Sequence, residues 1–295
     1  MKMKFLVVFI ATLVVLAPWS LASLVQDVSA DDAEVLQSVR LLTSVERRSN
    51  GANEFVLVHG ASHGAWCWYK VVTMLETKGY KVTAVDLTSL GRSKVSADSV
   101  TSMVQYVKPA VDHITNASSK VILVGHSAAG TVLGYIMELM PEKIEKGVFL
   151  VANMPAFGIL NSTTYASPNM SSVADFTYAN GPSAPPTSIL FKPDYARQRY
   201  YNQSPKRDVT LALSLLSPQP LTPLVGVFNF TPERYGSVRR FYIQTLNDNT
   251  SPAAFQEGIV KANPPERHFK IDSDHSAFFS KPSEVTCILE EIYHS

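Results

Sequence analysis

The segment Val121-Ile122-Leu123-Val124-Gly125-His126-Ser127-Ala128-Ala129-Gly130 places a serine between a predicted strand and a predicted helix. Its first four residues are apolar and mostly β-branched, and a helical pattern runs on from Ala128 to Met140. A serine at so sharp a turn has a strained backbone, and it needs small residues two positions before and two positions after it. Gly125 and Ala129 stand there, although glycine is more usual than alanine at the second position. The pattern predicts that Ser127 is a nucleophile whose hydroxyl projects above a sheet.

A serine nucleophile in this setting needs an acid and then a histidine later in the chain, each in a loop that follows a strand. Of the seven histidines, His275 is the best placed, because the polar stretch from Asp272 to Ser276 follows the end of a predicted strand. Residues 240–245 predict the preceding strand, and Asp248 lies in the loop after it. The sequence therefore predicts a catalytic triad of Ser127, Asp248 and His275.

Other acids and histidines near these loops fit the triad less well. Asp272 and Asp274 are closer to His275 in sequence, but they lie in its own loop, where we expect them to shape the turn. His268 precedes the last strand and His294 lies at the end of the chain, so we expect both to be solvated.

A second buried strand, from Phe55 onwards, ends in His-Gly and predicts an oxyanion hole. In this arrangement the turn after the first strand supplies one backbone N–H and the residue after the nucleophile supplies the other, which are Ala61 and Ala128 here. His59 and His63 are four residues apart, but the sequence between them lacks the glutamate of a metalloprotease motif. We expect His59 to pack within its loop, and the sequence predicts no metal and no cofactor.

Strand and helix patterns alternate through residues 53–152 and 231–295, which predicts an α/β core with a mostly parallel central sheet and helices on both faces. Residues 153–230 break this pattern, with nine prolines between Pro182 and Pro232 interleaved with Tyr, Phe and Leu. Such an insertion predicts a cap over the active site. A disordered linker is the alternative, and the aromatic residues argue for burial. Four residues are predicted to form a packing face of a helix rather than to contact substrate: Tyr195, Arg197, Tyr200 and Tyr201.

Taken together, these motifs resemble the plant methylesterase and hydroxynitrile lyase family of α/β-hydrolases, which includes the salicylic acid-binding methylesterases and polyneuridine aldehyde esterase. The resemblance covers three stretches, which are residues 55–93, 120–155 and 235–282. Its most specific motifs are His59-Gly60-Ala61, Gly64-Ala65-Trp66, Trp68-Tyr69, Phe255-Gln256 and Asp274-His275. The resemblance implies the α/β-hydrolase fold with an inserted cap, and it assigns Ser127, Asp248 and His275 to the triad and Ala61 and Ala128 to the oxyanion hole.

Two positions separate the esterases of this family from its cyanohydrin lyases. The lyases resemble one another in carrying Thr after the first-strand His and Lys after the catalytic His, where this chain has Gly60 and Ser276. The resemblance therefore implies a serine carboxylesterase for a small, largely apolar ester, such as a methyl ester of a plant hormone or alkaloid precursor. Two alternatives stay open. One is a lyase, or an esterase whose cleavage triggers decarboxylation; the other is a hydrolase-like small-molecule binding protein with little turnover.

Length and composition agree with one globular hydrolase. The chain has 295 residues, of which 46% are hydrophobic and 17% charged. Its net charge is +1 and it has no basic blocks, so nothing predicts a nucleic-acid partner. We expect a small-molecule ester as the partner, and a homodimer is the predicted assembly.

The N-terminal residues predict a targeting segment. A positive start precedes an apolar run from Phe5 to Ala17, and a small-x-small end follows at Ala22. This predicts a signal peptide over residues 1–22 and a flexible extension over residues 23–52, with an uncleaved anchor as the alternative. We therefore expect the secretory pathway, in the extracellular space or an endomembrane or vacuolar lumen, with no stable membrane association after cleavage. Six glycosylation sequons support this expectation: Asn116, Asn161, Asn169, Asn202, Asn229 and Asn249. Cys67 and Cys287 are predicted to be buried free thiols, and the alternative is that they pair as a disulfide in an oxidising compartment.

Overall fold

The fold is given by a computed structural model, which describes residues 54–162 and 170–295. The predicted signal peptide (1–22) and N-terminal extension (23–52) lie outside the described residues. In the described part of the chain, no helix is long and apolar enough to cross a membrane.

Strands and helices alternate through most of the described residues. The strands are β1 Glu54–Val58, β2 Lys81–Val85, β3 Val121–His126, β4 Ile144–Leu150, β5 Gly158–Ser162, β6 Ala174–Thr177, β7 Ser188–Phe191, β8 Gln219–Pro220, β9 Gly226–Phe230, β10 Arg239–Thr245 and β11 Arg267–Ile271. The α-helices are α1 Tyr69–Thr77, α2 Met103–Thr115, α3 Ala129–Leu139, α4 Pro193–Tyr200, α5 Lys206–Leu215, α6 Ala253–Ala262, α7 Ala277–Ser280 and α8 Pro282–His294.

Six of these strands form the central sheet, in the order β11-β10-β4-β3-β1-β2, and every neighbouring pair among them is parallel. Alternate residues of β1 face opposite sides, because successive side chains of a strand point to opposite faces. Phe55 packs in a core with Leu75 of α1 and Leu289 of α8, whereas Val56 packs in a second core with Val107 of α2 and Ile136 of α3. The predicted α/β-hydrolase fold, with a parallel sheet and helices on both faces, is confirmed.

The carboxyl ends of the strands lie at one edge of the sheet. The register pairs Val58 with Gly125, His126 with Leu150 and Thr245 with Ile271, so neighbouring strands end at similar levels. We call the connections after these strands the β1 loop (residues 59–64), the β10 loop (246–252) and the β11 loop (272–276). Parallel strands bring such loops together in one crevice, where ligands of open α/β sheets bind.

We call residues 153–230 the cap segment, and its described residues, 153–162 and 170–230, form two small antiparallel sheets and two α-helices. Strand β5 pairs with β9, and β7 pairs with both β6 and β8. Helix α5 is attached to the core through buried Asp208, which accepts hydrogen bonds from the Tyr69 hydroxyl at 2.6 Å and from Lys70 Nζ at 2.5 Å. The cap segment is therefore bonded to the helices of the core as well as to the loops described below.

The two cysteines are free. Cys67 is buried, as expected, and Cys287 is exposed on α8, so the prediction of burial is wrong for Cys287.

Candidate active site

Ser127 lies between β3 and α3 with a φ of +55°. This left-handed conformation is uncommon for a residue with a side chain, and it agrees with the strained turn that the sequence predicts. A Cβ on Gly125 would lie 2.3 Å from the Leu133 side chain, so a larger residue two positions before the serine would displace that side chain. The backbone of Ser127 is held at both ends, since its N–H donates to the Leu150 carbonyl at 3.2 Å and its carbonyl accepts from the Asn153 N–H at 3.2 Å.

The structure brings Ser127, Asp248 and His275 together, although they come from three loops. His275 Nδ1 lies 2.7 Å from Asp248 Oδ2, and His275 Nε2 lies 2.9 Å from Ser127 Oγ. A carboxylate only accepts hydrogen bonds, so Nδ1 carries the proton and Nε2 is free to accept the serine proton. Asp248 and His275 are both buried. The arrangement can transfer a proton from the hydroxyl to the ring.

The carboxylate of Asp248 is bound at both oxygens. Oδ1 accepts hydrogen bonds from the Thr250 N–H at 2.6 Å and the Ser251 N–H at 2.8 Å, and Oδ2 also accepts from the Thr245 hydroxyl at 3.0 Å. Burial by itself raises the pKa of this carboxyl, but the His275 ring and the two backbone donors outweigh burial and hold the pKa of Asp248 below its usual value. Asp248 is therefore ionised at neutral pH and fixes the orientation of the ring.

Asp274 performs a different task from Asp248. It is fully buried, and its Oδ1 accepts from the Ser276 N–H at 3.1 Å and the Ser280 hydroxyl at 2.8 Å. Its Oδ2 accepts from the Gln203 N–H at 2.9 Å and the Ser204 hydroxyl at 2.8 Å. The carboxylate shapes the β11 loop, as expected, and it also ties that loop to the cap segment, which the sequence did not indicate.

The remaining acid and histidines near these loops lie apart from the cavity. Asp272 is exposed and accepts a hydrogen bond from the Asn247 side chain. His294 is exposed, as expected. His268 is only partly exposed and its ring packs edge-on against Tyr242 with centroids 5.9 Å apart, so the expectation that it is solvated is wrong.

The β1 loop carries the first predicted oxyanion-hole residue, and Ala61 and Ala128 both line the cavity above Ser127. The Leu87 N–H donates to His59 Nε2 at 3.1 Å, so the ring proton is on Nδ1, which donates to the Gly60 carbonyl at 2.8 Å. In a planar trans peptide the C=O and the next N–H point in opposite directions. His59 therefore turns the Ala61 N–H away from itself. Burial lowers the pKa of His59 and keeps the ring neutral.

His63 and His126 are also neutral and bonded within the site. His63 Nδ1 donates to the Ala61 carbonyl at 2.7 Å, and its Nε2 accepts from the Tyr201 hydroxyl at 2.7 Å. His126 Nε2 donates to the His275 carbonyl at 2.8 Å, which joins the serine turn to the β11 loop. Burial lowers the pKa of His63 to about 3 and the pKa of His126 well below its usual value. Among the described residues, no group of three His, Cys, Asp or Glu is placed to hold a metal ion.

A cavity of about 290 Å³ opens above Ser127. Most of its lining is apolar or aromatic, and the cap segment supplies Ile189, Phe191, Tyr195, Tyr200, Leu221 and Leu224. Within residues 54–162 and 170–295, the lining includes no Lys, Arg, Asp or Glu. The cavity therefore suits an uncharged molecule.

Two of the cap tyrosines differ from the sequence prediction. Tyr195 and Tyr200 line the cavity, and the Tyr200 ring lies 5.5 Å from the His275 ring, centroid to centroid, so the expectation that they only pack is wrong. Tyr201 is buried and Arg197 is exposed, so these residues do not form one face of α4. Sequence reasoning also missed Gln219, which lies in the lining without any local motif to mark it.

Comparison with known proteins shows the family of this chain. Residues 55–286 match the family described as "Alpha/beta hydrolase family". "Methyl jasmonate esterase 1" of Vitis vinifera is 40% identical over 252 residues, which are 82% of this chain and 97% of that protein. The crystal structure of the methylesterase protein MES16 from Arabidopsis is similar with a TM-score of 0.72 and 38% identity, covering 81% of this chain and 98% of that one.

A further relative corrects the predicted location. "Putative methylesterase 15, chloroplastic" of Arabidopsis thaliana is 42% identical over 270 residues, which are 88% of this chain and 61% of that protein. This chain spans 55% to 64% of the length of three such relatives. Four other Arabidopsis relatives are also named chloroplastic. The prediction of the secretory pathway is therefore wrong, because these names point to the plastid. The chain belongs to the alpha/beta hydrolase family and, within it, to the plant methylesterases.

Proposed function

We propose that this protein is a serine carboxylesterase that hydrolyses a methyl ester of a small, uncharged and largely apolar carboxylic acid. One observation carries the proposal. Hydrogen bonds connect Ser127 to His275 and His275 to Asp248, beside a cavity whose described lining includes no Lys, Arg, Asp or Glu. This is the arrangement that nucleophilic acyl transfer requires, with a base in contact with the nucleophile and an acid that orients the base.

The proposed reaction has two halves. His275 Nε2 takes the proton of Ser127 as its Oγ attacks the ester carbonyl, and Asp248 stabilises the imidazolium that forms. The N–H groups of Ala61 and Ala128 stabilise the negative oxygen of the tetrahedral intermediate, a contribution of about 3 kcal/mol for each donor in related sites. The His275 imidazolium then gives its proton to the methoxy oxygen as the C–O bond breaks, and methanol leaves. Water attacks the acyl-enzyme in the same way and releases the acid.

The lining of the cavity supports the choice of substrate class. Its apolar residues gain free energy by covering the acyl part of the ester. A free carboxylate on the substrate would lose its hydration without meeting a cation, which costs several kcal/mol. The names of the relatives, which are methylesterases, support a methyl ester in particular.

The test compares two esters that differ only in charge. Methyl 4-methylbenzoate and the monomethyl ester of terephthalic acid have nearly the same shape, and methanol release from each is measured with the purified protein. We expect hydrolysis of the neutral ester, at least about 100-fold slower hydrolysis of the charged one, and loss of both in Ser127→Ala. Ser283→Ala, which removes an exposed hydroxyl outside the cavity, should behave as the wild type.

Two results would contradict the proposal. The first is a protein that binds neutral esters but does not release methanol from any ester of a broad panel, which is the behaviour of a binding protein. The second is hydrolysis that persists in Ser127→Ala, since the nucleophile would then be another group.

The compartment and the assembly state are proposed separately. We propose the plastid, because five relatives are named chloroplastic. A fluorescent protein fused to the C-terminus should coincide with chlorophyll fluorescence in leaf cells, and a reticulate pattern would contradict this. The homodimer stays a prediction, which light scattering of the purified protein tests.

A further inference from the structure

The cap segment makes three hydrogen bonds to two consecutive residues of the β1 loop. The Ser217 N–H donates to the Ser62 carbonyl at 3.1 Å, and the Ser62 N–H donates to Gln219 Oε1 at 3.1 Å. The Tyr201 hydroxyl, which is 138 residues away in sequence, donates to His63 Nε2 at 2.7 Å. Ser62, His63, Tyr201 and Gln219 are all buried, so water does not compete for these bonds.

The β1 loop and the cap segment together hold the two peptide groups that flank Ala61. The Gly60 carbonyl accepts from His59 Nδ1 at 2.8 Å, and the Ala61 carbonyl accepts from His63 Nδ1 at 2.7 Å. Each peptide group is planar, so two fixed groups leave the φ and ψ angles of Ala61 little freedom. The direction of the Ala61 N–H, which is the proposed oxyanion-hole donor, follows from these bonds.

Ser62 needs the cap contacts because its backbone is strained. Its φ is +61°, in the left-handed region that residues with a side chain rarely adopt. Its own hydroxyl is buried without a hydrogen-bond partner among the described residues, so the side chain does not stabilise this conformation. The bond to Gln219 therefore holds the Ala61–Ser62 peptide group, and the bond from Ser217 holds the next one, between Ser62 and His63.

We propose that Tyr201 and Gln219 are positioning residues which, through His63 and Ser62, fix the Ala61 N–H in the oxyanion hole. The cap segment thus orients a donor of the oxyanion hole in addition to covering the active site. This inference rests on the proposed ester hydrolysis.

The hydroxyl of Tyr201 sets the tautomer of His63. Because the hydroxyl donates to Nε2, the ring proton is on Nδ1, where it is needed for the bond to the Ala61 carbonyl. Burial keeps the ring neutral at physiological pH, with its pKa lowered to about 3. Without the hydroxyl, the other neutral tautomer would place an unprotonated nitrogen against the carbonyl of Ala61.

The first experiment removes only the hydroxyl, in Tyr201→Phe. We expect kcat for a neutral methyl ester to fall about 10- to 30-fold with KM within about twofold, because the misplaced donor acts on the transition state and not on the bound ester. The pH profile of kcat should keep its midpoint, since Tyr201 does not bond to the proposed triad. Tyr178→Phe, which alters an exposed tyrosine of the cap segment, is the matched control and should keep wild-type rates.

The second experiment compares His63→Asn with His63→Leu. An asparagine amide can donate to the Ala61 carbonyl from nearly the position of Nδ1, whereas leucine cannot donate. We expect His63→Asn to keep several-fold more kcat than His63→Leu at similar thermal stability. Equal kcat in the two variants would overturn the proposal, because the lost donor would then be irrelevant.

A third measurement separates this inference from the proposed function. A fluorophosphonate also places its P=O oxygen in the oxyanion hole. Its rate of reaction with Ser127 therefore measures how well the hole stabilises that oxygen, and no ester is needed. We expect this rate to fall about tenfold in Tyr201→Phe. If the wild type reacts with the probe but cleaves no ester, the proposed function fails, and the labelling rates still decide this inference. Wild-type labelling in Tyr201→Phe would overturn it.

Discussion

His275 is bonded to Asp248, which is 27 residues before it, and not to the carboxylate of its neighbour Asp274. Asp248 Oδ2 lies 2.7 Å from His275 Nδ1, and both oxygens of Asp274 are occupied by donors of the β11 loop, α7 and the cap segment. Two buried carboxylates, one in the β10 loop and one in the β11 loop, thus have separate tasks. Asp248 fixes the tautomer and Asp274 fixes the loop.

The first prediction separates these two tasks by the same substitution at both positions. Asp248→Asn removes the charge that favours the imidazolium and allows the wrong tautomer, so we expect kcat for ester hydrolysis to fall about 10⁴-fold with the fold retained. Asp274→Asn turns an amide N–H₂ toward donors, so we expect about 2 kcal/mol lower stability and a milder loss of kcat. Steady-state kinetics and urea unfolding of both variants measure this. If Asp274→Asn were the inactive variant and Asp248→Asn active, the acid would be misassigned.

The second prediction concerns the space at Gly60. A Cβ there would lie 2.7 Å from His126 Nδ1 and 3.1 Å from Ser127 Cβ, and both neighbours belong to the serine turn. We expect Gly60→Ala to displace the turn and to lower kcat at least about tenfold. Gly258→Ala is the matched control, because a Cβ in that helix meets nothing within 4 Å, and it should stabilise the protein by about 0.5 to 1 kcal/mol. Wild-type kcat in Gly60→Ala would contradict this prediction, because the serine turn would then accommodate the added Cβ without losing activity.

Local sequence patterns account for the core of the fold and for the residues that meet at the cavity. The β3 strand, the serine turn and α3 follow from one apolar run and small residues, and the loops of Asp248 and His275 follow from the order of strands. Parallel strands then bring those loops to one edge, so the juxtaposition needs no long-range information beyond the fold.

The cap segment could not be predicted in the same way. Gln219 lies in a strand of two residues, and Tyr201 follows the end of a helix, with no periodic pattern to reveal which side chain faces the site. Their partners, Ser62 and His63, are more than 130 residues away. Such pairings depend on tertiary packing, which a local pattern does not contain. The assignment of four residues, Tyr195, Arg197, Tyr200 and Tyr201, to one packing face failed for this reason.

The third prediction is a loss of stability in mild acid. Burial lowers the pKa of His59, His63 and His126 in the folded protein. Below about pH 6.5 these rings are therefore protonated in the unfolded chain but remain neutral in the folded protein. Stability therefore rises with pH in this range and falls as the pH drops below about 6.5. His63 alone, with a pKa of about 3, should cost about 2 kcal/mol between pH 7 and pH 5.

Urea unfolding at pH 7, 6 and 5 measures this dependence, and His63→Asn provides the comparison. The variant lacks one titrating ring, so its free energy of unfolding should fall by about 1.4 kcal/mol less per pH unit below pH 6. Parallel pH dependences in the variant and the wild type would mean that folding does not lower the pKa of His63.

The last prediction is the chemical class of the reaction. Cleavage of a cyanohydrin releases cyanide, and a developing anion in a dry cavity is costly unless a cation accepts it. Among the described residues no Lys or Arg lines this cavity, and Ser276 is fully buried with its N–H donating to Asp274. Gly60 also leaves no room for the threonine that the lyases of the family carry. Ester hydrolysis needs neither of these residues. We expect no cyanide release above background from mandelonitrile or acetone cyanohydrin, under conditions in which a neutral methyl ester is hydrolysed. Cyanide release that requires Ser127, in a protein that hydrolyses no ester, would reverse the assignment.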